Sequence, residues 1–252
     1  MRTLWQSGAD MLKAVCFGFN GVIVKDLAVH RRLIEQLVLE ENMRPDPDEY
    51  TQVCLGRSDR ACLKDLFMKR GRVMSNQMLD KLVQKKTARY QAELSELKKL
   101  PLYPGLDDLI FKIRAAKLRM AIVTGATFPE VETILTQANL AEHFSIVVSG
   151  NDLTPEASKP EPDSYLLAVQ KLNTAFPTLN LKPENCLAIE DSFIGIKAAK
   201  QAGMQVVGVA HTYPFRMMQR RANWAVDYLF EIDLDWIRRV YDPALALPIS
   251  EG

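Results

Sequence analysis

Apolar positions change rhythm twice along the chain, and each change predicts a different kind of element. Ala14, Val15, Cys16 and Phe17 form a short apolar run without polar alternation, the pattern of a strand covered on both faces. Gly18 and Gly21 interrupt that run, so a tight polar turn is predicted directly after it. From Leu27 the spacing becomes helical. Leu33, Ile34, Leu37 and Val38 recur on one face, and Asp46-Pro-Asp-Glu49 supplies an N-cap, a first-turn proline and a capping-box glutamate for a further helix. Ala61, Leu63, Leu66 and Phe67 predict a short helix. Met78, Leu79, Leu82, Val83, Tyr90, Leu94 and Leu97 predict a long one with a charged outer face. No strand pattern interrupts residues 27–98, which read as an all-helical block.

Pro101 and Pro104-Gly105 then return the chain to a second rhythm, in which strand and helix patterns alternate. Strands are predicted over 119–124, 145–149, 185–190 and 205–210, with helices between them. Thr127-Phe-Pro-Glu130 forms a capping box, Ser158-Lys-Pro-Glu-Pro-Asp163 is a proline-stiffened loop, and Ser192 can cap the helix after the fourth strand. Such alternation predicts an α/β fold, a doubly wound parallel sheet with an inserted all-helical domain. The expected division is a sheet domain over 1–26 and 99–242, the insert over 27–98 and a flexible tail over 243–252. An edge strand is expected over 225–230 and a terminal helix over 234–241.

Composition narrows the function classes. The 252 residues hold 32 Lys plus Arg against 31 Asp plus Glu, which gives no whole-chain electrostatic reason to expect nucleic acid or an anionic membrane as partner. Four cysteines show no Cys-x-x-Cys pair, and Cys16 and Cys186 sit inside apolar runs. All four are expected to be reduced core or near-core residues. The N-terminus lacks the apolar block of a secretory signal, and no run reaches membrane-spanning length. A cytoplasmic location is the expectation.

Four spots each follow the carboxyl end of a predicted parallel strand: Gly18 to Gly21, Thr124-Gly125, Lys159-Pro160 and Glu190-Asp191. Ligands of open parallel sheets gather at such ends, so the four are expected to meet in one crevice. Their order and spacing resemble the four motifs of the haloacid dehalogenase-like phosphatases, from about Lys13 to Phe230. The chain is most similar to the phosphoglucomutase and sugar-phosphate phosphatase branch, whose members carry a helical cap between the first two motifs. The resemblance implies a Rossmann-like core. It further implies that Thr124, Gly125 and Lys159 hold a phosphate, that Glu190 and Asp191 hold magnesium, and that Gly56-Arg57-Ser58 is a cap loop used in substrate selection.

The first motif departs from the family. Gly18 and Asn20 stand where the family has its nucleophilic aspartate and its acid–base aspartate, Val22 stands at the Thr position, and Lys25 and Asp26 where Asp-Ser is usual. Glycine has no oxygen with which to attack phosphorus, and an amide neither gives nor takes a proton near neutral pH. The expected function is therefore a phosphatase-like pseudoenzyme that binds a phosphorylated small molecule or a protein partner. It would need no cofactor, with at most weak magnesium binding at Asp191 and Glu190. The alternative is a divergent magnesium-dependent phosphate-ester hydrolase, in which metal-activated water replaces the nucleophile.

Several residues admit two readings. Lys159 either pairs structurally with Glu190 and Asp191 or forms an anion site with Thr124 and turn amides. Thr124 also suits a strand end that satisfies backbone groups, and Arg57 a solvated loop residue. His211 could face the crevice as a proton donor, although a lone loop histidine is more commonly structural. Asp26 falls out of register for a substitute nucleophile. Lys81, Lys85, Lys86 and Arg89 are expected on a solvated helix face that could double as a protein-docking surface.

Overall fold

The computed structural model describes residues 11–241; the expected tail over 243–252 lies outside them. Six parallel strands form one sheet in the order β3-β2-β1-β4-β5-β6. They are β1 (Ala14–Phe17), β2 (Arg119–Val123), β3 (Ile146–Val148), β4 (Cys186–Glu190), β5 (Gln205–Val209) and β6 (Trp224–Val226). The apolar run at 14–17 is central, flanked by β2 and β4. Its residues are fully buried, as a strand covered on both faces must be.

Side chains alternate across the sheet, so the period of two sorts residues by size. Ala14, Cys16, Ala121, Val123, Cys186 and Ala188 share one face. Val15, Phe17, Met120, Ile122, Leu187 and Ile189 share the other. Small residues on the first face let α6 (Asp163–Ala175) and α7 (Phe193–Gln201) pack closely. The larger side is covered by α4 (Leu106–Ala115) and α5 (Phe128–Gln137), joined by α8 (Leu234–Tyr241).

Between β1 and β2 the chain builds a helical block: α1 (Leu27–Glu40), α2 (Asp59–Met68) and α3 (Asn76–Ser95). Ser58 and Ser75 cap α2 and α3 through their side chains. The block has its own apolar cluster, including Leu37, Val53, Leu63, Leu66, Phe67 and Leu79, while Tyr90 and Leu94 of α3 join the core of the sheet.

Four expectations are corrected. The helix after Asp46 is only one π-helical turn, Tyr50–Cys54, because Leu55 swings to an extended ψ of 119° and Gly56 follows at φ 79°. The edge strand is shifted and shorter, Trp224–Val226, since the Glu231 carboxylate takes the next amides at Asp227 and Tyr228. Cys54 and Cys62 form a disulfide instead of two thiols, leaving Cys16 and Cys186 free; one support for the cytoplasmic expectation is thereby removed. Lys86 is 0% exposed, because it shares a stripe with Leu82 and Tyr90 one turn either side. Its neighbours Lys85 and Arg89 pair with Glu40 of α1. Among the described residues no helix is long and apolar enough to cross a membrane.

Candidate functional site

The sheet register fixes the floor of the crevice. Phe17 pairs with Ile122 on one side and Ile189 on the other, so the next row holds Gly18, Val123 and Glu190. Lys159, from the loop after β3, reaches into that row. Its ammonium donates to the Val123 carbonyl at 3.0 Å and to Glu190 Oε1 at 2.5 Å. Gly18 adds no side chain there. A Cβ placed on it would lie 3.4 Å from the Glu190 carboxyl carbon and 3.0 Å from Val22 Cγ2, so a side chain at this position would border the pair that Lys159 makes.

Glu190 is fully engaged. Besides Lys159, its Oε1 accepts from the Tyr165 hydroxyl at 2.5 Å and its Oε2 from Ser192 at 3.3 Å. Gly195 makes the room, because a Cβ in that first turn of α7 would overlap the carboxylate. Asp191 accepts from the Thr212 hydroxyl. Burial, followed by the adjacent Glu190 charge, pushes the Asp191 carboxyl up to about 7.

These donors do not fit a resident magnesium. The ion prefers hard, charged oxygens near octahedral geometry, whereas Gly18 offers no carboxylate and Glu190 is spent on Lys159, Tyr165 and Ser192. Among the described residues no group of three or more His, Cys, Asp or Glu side chains converges as a metal centre. No chemical step is therefore assigned to a metal.

Asn20 is held on all sides. Its amide nitrogen lies 2.8 Å from Asp26 Oδ2 and 2.9 Å from His30 Nε2, and its oxygen accepts from Thr124 at 3.3 Å. Asp26 Oδ2 also accepts from the Tyr90 hydroxyl and sits 3.0 Å from His30. His30 stacks on Tyr90 with ring centroids 4.6 Å apart. Asp26 thus reaches Asn20 and not Gly18. It is 2% exposed and backs the amide from behind.

The roof comes from the helical block by close backbone approach. Gly125 lies so near residues 57–58 that a Cβ on it would overlap the Arg57 carbonyl group, and a Cβ on Gly56 would meet Ser192 Oγ at 2.8 Å. The Ser58 amide donates to Ser158 Oγ at 2.8 Å. What remains is a cavity of about 50 Å³, room for a few waters.

Gly18, Asn20, Thr124, Gly125, Lys159, Glu190 and Asp191 all line this one crevice, with Gly56 and Arg57. Arg57 contributes backbone only, since its guanidinium turns away to Asp65 at 2.6 Å and to the Val53 carbonyl. Ser58 serves as a helix cap. His211 stays behind the turn, 2.8 Å from the Gly21 carbonyl and stacked on Tyr103, and burial lowers its pKa. His30, Tyr50 and Asp59 line the crevice without having been expected there. The available signal for His30 was its spacing of four from Asp26 at the start of a helix.

The haloacid dehalogenase-like hydrolase family model matches residues 12–203. Protein CbbY of Cereibacter sphaeroides is 29% identical over 203 residues, covering 78% of this chain and 84% of the relative. Beta-phosphoglucomutase of Bacillus subtilis is 28% identical, covering 81% of this chain and 85% of the relative. Among solved structures, beta-phosphoglucomutase from Clostridium difficile superposes with a TM-score of 0.77 at 20% identity, covering 93% of this chain and 99% of that one. CbbY from Rhodobacter sphaeroides, solved with phosphate, gives a TM-score of 0.74 at 24% identity over 88% of this chain and 97% of that one.

Proposed function

The chain belongs to the haloacid dehalogenase-like hydrolase family, and from that premise we propose that it keeps the crevice as a binding site for a phosphorylated small molecule without covalent phosphoryl transfer. On this reading residues 27–98 form a cap over a core made of 1–26 and 99–242. The carrying observation is the row at the sheet edge, where Gly18 presents no side chain beside the Lys159–Glu190 pair. A phosphoryl group needs an oxyanion nucleophile, and none occupies that position. Asn20 cannot relay the proton either.

Binding is supported by what the crevice retains. An ammonium carries three donors, of which Lys159 gives two to Val123 and Glu190. The third is available to an anion, at the end of a parallel sheet where ligands gather, and the Thr124 hydroxyl would turn to it from the 3.3 Å bond it donates to Asn20 Oδ1. The cap loop would open to admit the ligand and close over it.

Calorimetric titration of the native chain with inorganic phosphate tests this reading. Binding is expected, weakened about fivefold or more in Thr124→Val, which keeps the shape and removes the hydroxyl. Absence of phosphate binding would reject the small-molecule site and leave a protein partner as the reading to pursue by co-purification.

A further inference from the structure

Above the crevice, cap and core meet through an ion cluster. The ammonium of Lys86, on α3, lies 2.7 Å from Asp59 Oδ2 at the start of α2 and 3.0 Å from Glu130 Oε1 on α5. Glu130, in turn, completes the capping box at Thr127, whose hydroxyl bonds Thr87 at 2.9 Å. Burial pushes the Lys86 ammonium down, yet Asp59 and Glu130 overcome it and hold its pKa above the ordinary lysine value. Two carboxylates face one ammonium, so the cluster carries one negative charge in excess. Asp59 is the member that lines the crevice.

The other cations at this end are also taken. Arg57 pairs with Asp65, Arg60 with Asp80 and Lys64 with Glu156. Lys159, at the floor, has a third donor beyond those it gives to Val123 and Glu190, whereas the Arg57 guanidinium is directed to Asp65 and the Val53 carbonyl. Asp59 and Lys86 both belong to the cap, so their pairing travels with the cap when it lifts. Glu130 remains with the core.

Resting on the phosphate-binding reading above, we infer that Asp59 is a specificity-determining residue, restricting the crevice to phosphomonoesters with no second anionic group and excluding bisphosphates. One phosphate meets Lys159. A second, directed toward the cap, meets a carboxylate whose ammonium is already committed, and like charges interact strongly where water is scarce. The repulsive contact selects, with no added attraction needed for the preferred ligand.

The test titrates the native chain by calorimetry, at fixed ionic strength, with inorganic phosphate and with the monophosphates and α,ω-bisphosphates of linear diols of three to six carbons. These probes share flexible chains, so they differ in charge and little else. The monophosphates are expected to bind about tenfold or more tighter than the matching bisphosphates. In Asp59→Asn, which keeps the size and an acceptor for Lys86, that ratio should shrink toward one. Equal or tighter binding of any bisphosphate by the native chain, or an unchanged ratio in a folded Asp59→Asn, overturns the inference. So does failure of every diol phosphate where inorganic phosphate binds. Should inorganic phosphate itself not bind, the phosphate-site reading falls first and this inference with it, which separates the two failures.

Discussion

Replacing Gly18 by Asp should destabilise the chain in chelator and create a magnesium dependence that the native chain lacks. Gly18 is outside the left-handed region, so its backbone accepts a side chain. The new Cβ would sit 3.0 Å from Val22 Cγ2 and 3.3 Å from the Ile189 carbonyl, a crowding worth about 1 kcal/mol, which Gly18→Ala isolates. The carboxylate adds more. It enters next to Glu190, whose carboxyl carbon lies 3.4 Å from the new Cβ, and a like-charge pair ~4 Å apart costs ~4 kcal/mol at an effective dielectric of 20. Lys159, already bonded to Glu190, offsets part of that by sharing its charge. A net loss of roughly 2–4 kcal/mol relative to Gly18→Ala follows, which in a chain of this size lowers the melting midpoint by about 5–12 °C. Three clustered carboxylates now suit a hard divalent ion, and magnesium at a hundred times its Kd returns ~2.7 kcal/mol. Thermal denaturation of the native chain, Gly18→Ala and Gly18→Asp, each in chelator and in magnesium, reads all of these quantities. Equal magnesium stabilisation of the native chain, or a Gly18→Asp no weaker than Gly18→Ala in chelator, would refute the charge reasoning.

Two further outcomes follow from the same geometry. Asp191 has its carboxyl raised to about 7 in the folded state, against 3.8 when unperturbed, so the folded chain binds the proton more tightly than the unfolded one. Its contribution is complete below about pH 4 and is lost as pH rises toward 7, by up to ~4 kcal/mol. Asp191→Asn should flatten that part of a urea-denaturation profile against pH and exceed the native stability at pH 8; a native profile already flat from pH 4 to 7 contradicts this. The Cys54–Cys62 disulfide spans a sequence separation of eight, and closing so short a loop restrains the unfolded chain by roughly 2–3 kcal/mol. Dithiothreitol should lower the melting midpoint of the native chain by several degrees and leave Cys54→Ser unmoved; an identical response from both would place the effect elsewhere.

Much of the fold was written in spacing. The unbroken run at 14–17 becomes the central strand, and the four strand-end spots converge because a parallel sheet puts every carboxyl end on one edge. Thr127 with Glu130 and Ser192 with Gly195 cap as read. The site was less legible where the backbone acts in place of the side chain. Arg57 looks like a ligand contact, yet its carbonyl lies against Gly125 while its guanidinium points into the helical block. Lys86 was misplaced because charge outweighed position: its neighbours one turn away, Leu82 and Tyr90, already marked the buried face. The disulfide was hidden for another reason, since two cysteines eight apart across an irregular turn do not announce their distance in space.

The central claim is that this crevice can hold a phosphate and cannot cleave its ester. Inorganic phosphate released by the native chain, assayed with magnesium across a panel of phosphomonoesters, measures that most directly. The account predicts no release above the buffer control over many protein equivalents of substrate. Sustained release at many turnovers per chain, abolished by Asp191→Ala, would contradict it.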